Sequence, residues 1–242
     1  ISANYAFGGN NAAVVISKWN YHLPPMSRAD EKIVITGAGG ICSLGLTLKS
    51  IIQKLHGKIR GIDSVDKNRI KPLHAKCAGL VPEFRGADIN RRIDISGMNH
   101  ISKYATAAVY DALSSSEIKI RQSNADSTGI VMGICNGSSE SEHMNSVIGT
   151  ADNRAHLAGF SSITANSTAG WVANALCLKG TNMTVSPGHH AGLQSLIYAY
   201  IMLKDRPSEV IIAGASDEVY AQTFYNYNLM DYCYSGKDEL EY

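Results

Sequence analysis

The sequence lacks several features that would settle its class at once. No apolar run approaches the roughly 18 residues of a membrane-spanning helix. No charge of one sign prevails: the formal net charge is +1, so there is no field to gather nucleic acid or an acidic partner. The opening Ile1–Asn11 has no basic region followed by an apolar stretch and does not read as a secretory signal. No internal repeat stands out. The five cysteines, Cys42, Cys77, Cys135, Cys177 and Cys233, are odd in number and widely spaced, with no Cys-x-x-Cys pair. Neither a zinc site nor a disulfide framework is expected from them, but buried or partly buried free thiols in a reducing cytoplasm.

What is present is a chain of 242 residues, 45% hydrophobic and only 18% charged. That is long enough to bury about 70% of its unfolded surface in one or two domains without staples. From residue 32 onward, candidate strands and helices alternate. Lys32–Thr36 ("KIVIT") reads as a buried strand, Gly37–Gly40 as a tight turn, and Leu44–Leu55 as a helix with apolar residues at 44, 48, 51, 52 and 55. Residues 58–97 read as loops and short elements. "MNHISKYATAAVYDALSSS" predicts a helix with Ile101, Tyr104, Ala105, Ala108 and Leu113 near one face. "TGIVMGI" predicts a buried strand, "GSSESEHMNSVIGT" a helix, and "ANSTAGWVANALCLKG" another helix with Gly180 as its C-terminal cap. "NMTVSP", Ala191–Leu203 and "SEVIIAGASDE" continue as strand, helix and strand. Continuous apolar strands alternating with helices imply an α/β fold, a largely parallel sheet covered by helices. Ahead of this region "NAAVVIS" at 11–17 has strand character, and residues 19–30, with Pro24-Pro25, read as an exposed linker. The tyrosine-rich end from Tyr220 reads as a surface or interface segment.

Three motifs are chemically suggestive. "GAGGICSLG" approaches a dinucleotide-binding loop, but the Gly-x-Gly-x-x-Gly spacing requires glycine at 42, which is Cys42, and Asp63 is poorly placed as the ribose-binding acid. A strand-to-helix turn built from small residues accounts for it as well. "NYAFGGNN" at 4–11 pairs glycines beside Phe7, as either a loop or a close approach to a ligand. "TVSPGHHAGLQSL", at the start of the helix from Ala191, has the strand–turn–helix form of a nucleophile elbow. It offers His189 and His190 where such corners carry cysteine or serine. Neighbouring helical residues point about 100° apart, so the two rings do not share one site, and without a third ligand they make a poor metal site. A histidine packed or hydrogen-bonded at an interface is the plainer reading. No cofactor and no metal is expected.

In their order, these segments resemble the β-ketoacyl synthase family of thiolase-fold condensing enzymes. "KIVITGAGGICSLG" resembles the family's opening strand and turn, and "ISGMNHISKYATAAVYDAL" its helix of the type "RMDRFSQYALAAAxxAL". "ITANSTAGWVANALCLKGTNMTVSPGHHAGLQSL" resembles "LPNMAAGHVAxxxGLKGPNxTVxTACSSGLQAL", the most specific match, and "EVIIAGASDE" resembles "xxAIAGGxE". The resemblance covers residues 32–218 and implies layered helices around a mixed, largely parallel sheet.

The resemblance also exposes two departures. The family's elbow reads Ala-Cys-Ser-Ser-Gly. Anchored on Gly192 and Leu193, this chain reads Gly188-His189-His190-Ala191-Gly192, so His189 stands where the condensing cysteine belongs. Gly188, His190 and Gly192 are then expected beside the acyl pocket. The family's two catalytic histidines and its lysine come from a second lobe, later than Tyr242. Further, "NYAFGGNNAAVVISK" resembles the family's closing motif "NxFGFGGxNxxLxxxK", with Phe7 as the gate-like residue, yet it precedes the opening strand. A tandem arrangement accounts for this order: residues 1–18 end an upstream unit, 19–30 link, and 31–242 form the first lobe of a second unit.

Ketosynthase-like units without the cysteine resemble chain-length factors, which work as partners of an active ketosynthase. The resemblance thus implies a non-condensing subunit in fatty-acid or polyketide elongation. Its partners would be an acyl carrier protein and a ketosynthase subunit, in a homo- or heterodimer formed through the elbow strand, in the cytoplasm. Decarboxylation of malonyl carrier protein, or condensation completed by a partner chain, is the alternative. With His189 in place of the condensing cysteine, the resemblance does not imply condensing activity by this chain alone.

Overall fold

The computed structural model describes residues 2–4, 12–14, 32–64, 77–91, 93–137, 162–205 and 209–230. Two short antiparallel ladders join β1 (Ser2–Asn4) to β2 (Ala12–Val14) and β3 (Asp63–Ser64) to β4 (Cys77–Ala78). Among the described residues, the main sheet has three parallel strands, β5 (Thr128–Gly133), β6 (Asn182–Val185) and β7 (Val210–Ala215), in the order β6-β5-β7. All six residues of β5 are buried. That is the consequence of its central place: a parallel strand covered on both faces needs apolar residues throughout.

Helices cover both faces. Ile130 and Met132 point to one face, where they form a core with Ala105 and Val109 of α3 (His100–Ser115) and Ala169, Val172 and Ala173 of α4 (Ser167–Ala175). Alternation sends Val131 and Gly133 to the other face, where Gly133 meets α5 (Ala191–Asp205). Among the described residues, three more helices lie outside this core: α1 (Leu48–His56), the single turn α2 (Gly86–Ile89) and α6 (Ala221–Leu229). Caps set several boundaries. The Thr47 side chain accepts from Ser50 N to start α1, and Asn99 Oδ1 accepts from Ser102 N at 2.9 Å to start α3.

The structure corrects three expectations. Lys32–Thr36 is no strand among the described residues: Val34 and Ile35 are 68% and 86% exposed. A cleft of about 340 Å³ lies where this segment, with Ile33 and Val34, faces Val210 and Ile211 at the start of β7. Its apolar pattern suits a ladder, but it lies across an open gap from the sheet edge. Gly37 and Gly39 do not make a tight turn; they lie against the main chain of α3 at Ala112 and Ala108, too close for a Cβ. Finally, α4 ends at Ala175 with Leu176 as its C-terminal cap, followed by Cys177 in the left-handed region (φ 55°). Gly180 is not the cap; it lies against the Thr128 carbonyl, to which its N–H donates. The expected helix in 137–150, the linker 19–30 and Phe7 fall outside the described residues, apart from Gly137.

Candidate functional site

The register of the parallel sheet builds the site. Gly133 pairs with Val185 on one side and Ala215 on the other, so all three strands end at one level. The residues that follow emerge together at the carboxyl ends of the strands, the usual ligand-binding side of an open α/β sheet. Cys135 follows β5, His189 follows β6 and Asp217 follows β7.

The elbow after β6 has the form expected. Gly188 adopts φ 90°, in open space, so the backbone angle and not crowding requires glycine there. Its carbonyl accepts from Ala191 N at 3.0 Å as α5 begins. At Gly192 an added Cβ would come within 3.3 Å of Ala215 Cβ, which packs the first turn of α5 against the end of β7. His189 and His190 are both exposed.

The structure brings His189 to a cysteine. Its Nδ1 lies 3.4 Å from Sγ of Cys135, and its ring lies 6.0 Å from that of Tyr227 on α6. No such contact is made by His190 among the described residues, in keeping with the divergence of neighbouring side chains. The Cys135 thiol is also 3.6 Å from Asn136 Oδ1, but that oxygen already accepts from the Tyr227 hydroxyl at 3.1 Å. Asp217 closes the group. Its carboxylate accepts from Cys135 N at 3.0 Å and from Asn136 N at 2.8 Å. The Tyr220 hydroxyl donates to the Asn136 carbonyl at 3.3 Å. Two residues of the tyrosine-rich segment thus hold the loop that carries Cys135.

Electrostatics follow from these contacts. Desolvation pushes the Cys135 thiol up from its ordinary pKa, and the charge of Asp217 adds to that. Asp217 is itself raised, first by desolvation of its carboxyl although the residue as a whole is exposed; the N–H donors of Asn136 and Cys135 and the nearby His189 oppose the shift. Among the described residues no group of three His, Cys, Asp or Glu is placed to hold a metal ion. The arrangement is a thiol, an imidazole and a carboxylate, the groups of nucleophilic chemistry.

Sequence reasoning placed His189, Gly188 and Gly192 at the elbow but missed Cys135 and Asp217. The signal available was positional. Both follow apolar runs recognisable as strands, and neighbouring parallel strands deliver the residues after them to one edge.

A family model for the N-terminal domain of β-ketoacyl synthases matches residues 30–232. The chain therefore belongs to the β-ketoacyl synthase family. It is 24% identical over 191 residues to 3-oxoacyl-[acyl-carrier-protein] synthase 2 of Vibrio harveyi, covering 78% of this chain and 46% of that protein. Among solved structures, the ishigamide ketosynthase/chain length factor superposes with a TM-score of 0.71 at 20% identity, over 81% of this chain and 50% of that one. A type II PKS acyl-carrier protein in complex with its ketosynthase bound to the hexaketide superposes with a TM-score of 0.63 at 21% identity, over 82% and 54%. The fold is thus the thiolase-like α/β fold, and the chain spans about half the length of the curated relatives it matches. No described helix is long and apolar enough to cross a membrane.

Proposed function

We propose that this chain is a ketosynthase-like subunit that does not itself form carbon–carbon bonds and pairs with an active β-ketoacyl synthase in fatty-acid or polyketide elongation. One observation supports the reading: the turn between β6 and α5 carries an imidazole, His189, where the resemblance puts the family's nucleophile. An imidazole does not hold a growing chain as a stable thioester. The pairing is supported by two surfaces. Among the described residues, strand β6 is an outer strand of the sheet, so its far edge has no ladder neighbour there. Helix α5 leaves Leu193, Leu196, Ile197, Tyr200 and Ile201 between 44% and 64% exposed along one side. An open strand edge and an uncovered apolar stripe both favour a partner that covers them. An acyl carrier protein is the proposed donor partner, as in the complex that superposes on this chain. Residues 1–18 and 19–30 are proposed as the end of an upstream unit and its linker.

The test is an elongation assay with malonyl- and acyl-loaded carrier proteins. The chain alone should give no β-ketoacyl product, and it should co-purify with a cysteine-bearing ketosynthase of the same cell. A β-ketoacyl product from the chain alone overturns the reading. Release of carbon dioxide from malonyl carrier protein that disappears in His189→Ala would establish decarboxylation in its place.

A further inference from the structure

The thiol beside His189 has no counterpart in the elbow motif, and the function proposed above does not use it. We propose that Cys135 is an acyl-accepting nucleophile for pantetheine-type thioesters, with His189 as its proton acceptor and Asp217 as the carboxylate that steadies the resulting imidazolium. Cys135, His189 and Asp217 come from three different strand ends, so the grouping is a product of the sheet and not of local sequence. The 3.4 Å separation of Sγ and Nδ1 is within hydrogen-bonding reach for sulfur. With the ring proton on Nε2, Nδ1 accepts from the thiol. Its position at the carboxyl ends of parallel strands places the sulfur on the side where such sheets bind ligands.

The environment decides how the thiol must react. Desolvation and the Asp217 charge both disfavour a standing thiolate. Such a thiol gains from losing its proton as the new bond forms, and His189, 3.4 Å away, is the base in contact with it. As Sγ attacks the thioester carbonyl, its proton passes to Nδ1 and the carbon–sulfur bond to Cys135 forms. Collapse of the tetrahedral adduct breaks the bond from the acyl carbon to the pantetheine sulfur. The imidazolium returns the proton to that departing sulfur. One thioester and one thiol are consumed and one of each is made, so no oxidant or further reactant is required. Asp217, which accepts from Cys135 N and Asn136 N, holds the loop that carries the sulfur, and a negative charge there favours the imidazolium formed in the step.

The inference rests on the family's thioester chemistry and deepens the proposed role. Holding an acyl group and forming a carbon–carbon bond are separable steps, and only the first is assigned here.

The test uses the full chain, hexanoyl-loaded acyl carrier protein and, separately, hexanoyl-pantetheine. Intact-mass measurement should show one added hexanoyl group, removable by hydroxylamine and mapped by peptide sequencing to Cys135. Cys42, Cys77 and Cys177 serve as internal controls. Cys135→Ala should abolish the adduct. His189→Gln should slow it by about a hundredfold, in the range typical for loss of a general base, with the circular dichroism spectrum unchanged. An adduct on another residue, or an undiminished rate in His189→Gln, overturns the proposal. Labelling of Cys135 by hexanoyl-pantetheine but not by the carrier protein supports the inference and counts against the carrier partnership. No labelling by either, in a chain that still co-purifies with its ketosynthase, removes the inference and leaves the subunit reading standing.

Discussion

Gly133, the last residue of β5, stands directly against the main chain of Ala191, the first residue of α5. This approach sets the distance between the strand that leads to Cys135 and the helix that follows His189. A Cβ at Gly133 would overlap the Ala191 carbonyl, and backbone cannot swing aside as a side chain can. Gly133→Ala should cost about 1–3 kcal/mol, the range for overpacking. Gly170, inside α4, has nothing within 4 Å of its would-be Cβ. Gly170→Ala should therefore stabilise by about 0.4–1 kcal/mol, because alanine loses less backbone freedom on folding. Urea unfolding of both variants reads the two signs; the same sign from both would contradict this account.

Asp111 on α3 tethers the segment before α1. Its Oδ2 accepts from Gly40 N at 3.1 Å and Leu48 N at 2.7 Å. Leu48 is the first residue of α1, so the carboxylate also faces the positive end of that helix. Asp111→Ala would leave both N–H groups without this acceptor and should destabilise by about 1–3 kcal/mol. Hydrogen exchange should speed up first at Gly40 and Leu48. Unchanged protection at both amides would show that another acceptor replaces Asp111.

These tethers bear on what could be read from the sequence. The three core strands and α3 and α5 were legible because their apolar patterns are local. Lys32–Thr36 has the same pattern, but a strand also requires a ladder neighbour, and no run of five residues states whether one stands beside it. Glycine favours the cap position, so Gly180 reads as a helix cap in the sequence; the helix closes sooner, with Cys177 taking the left-handed conformation. The Cys135–His189 contact joins residues 54 apart. Its only trace in the sequence is that each follows a strand, and the contact exists because those strands are neighbours in register.

Asp217 gives the fold a pH dependence with a definite sign. Its pKa is raised in the folded chain above the ordinary 3.8. The folded state then holds its proton more tightly than the unfolded state does. Between 3.8 and the raised value the native form binds more protons, so this group's contribution to stability falls as pH rises through that window. Asp217→Asn removes the titration while keeping a side-chain oxygen for one of the N–H donors. The difference in melting temperature, wild type minus variant, should decline from acid toward neutral pH. A difference that climbs over the same range would mean that the hydrogen bonds to Cys135 N and Asn136 N outweigh desolvation.

The exposed side of α5 separates a surface feature from a partner site. Leu196 and Ile201 are 49% and 44% exposed, and with Leu193, Ile197 and Tyr200 they fall within about 140° of helix circumference at 100° per residue. Lys204 continues this side, with Nζ 5.3 Å from the Tyr200 ring centroid. On the subunit reading the stripe is covered in the assembled protein, and burying it contributes to association at about 25 cal/mol per Å² of apolar area. Leu196→Glu with Ile201→Glu should therefore weaken co-purification with the ketosynthase by at least about tenfold. It should shift the stability of the isolated chain by no more than about 1 kcal/mol, because both side chains already face water. Size-exclusion chromatography and thermal melts distinguish the outcomes. Loss of pairing with an unchanged melt assigns the stripe to an interface between chains. Unchanged pairing removes α5 from the proposed contact and leaves the outer edge of β6 as the remaining candidate.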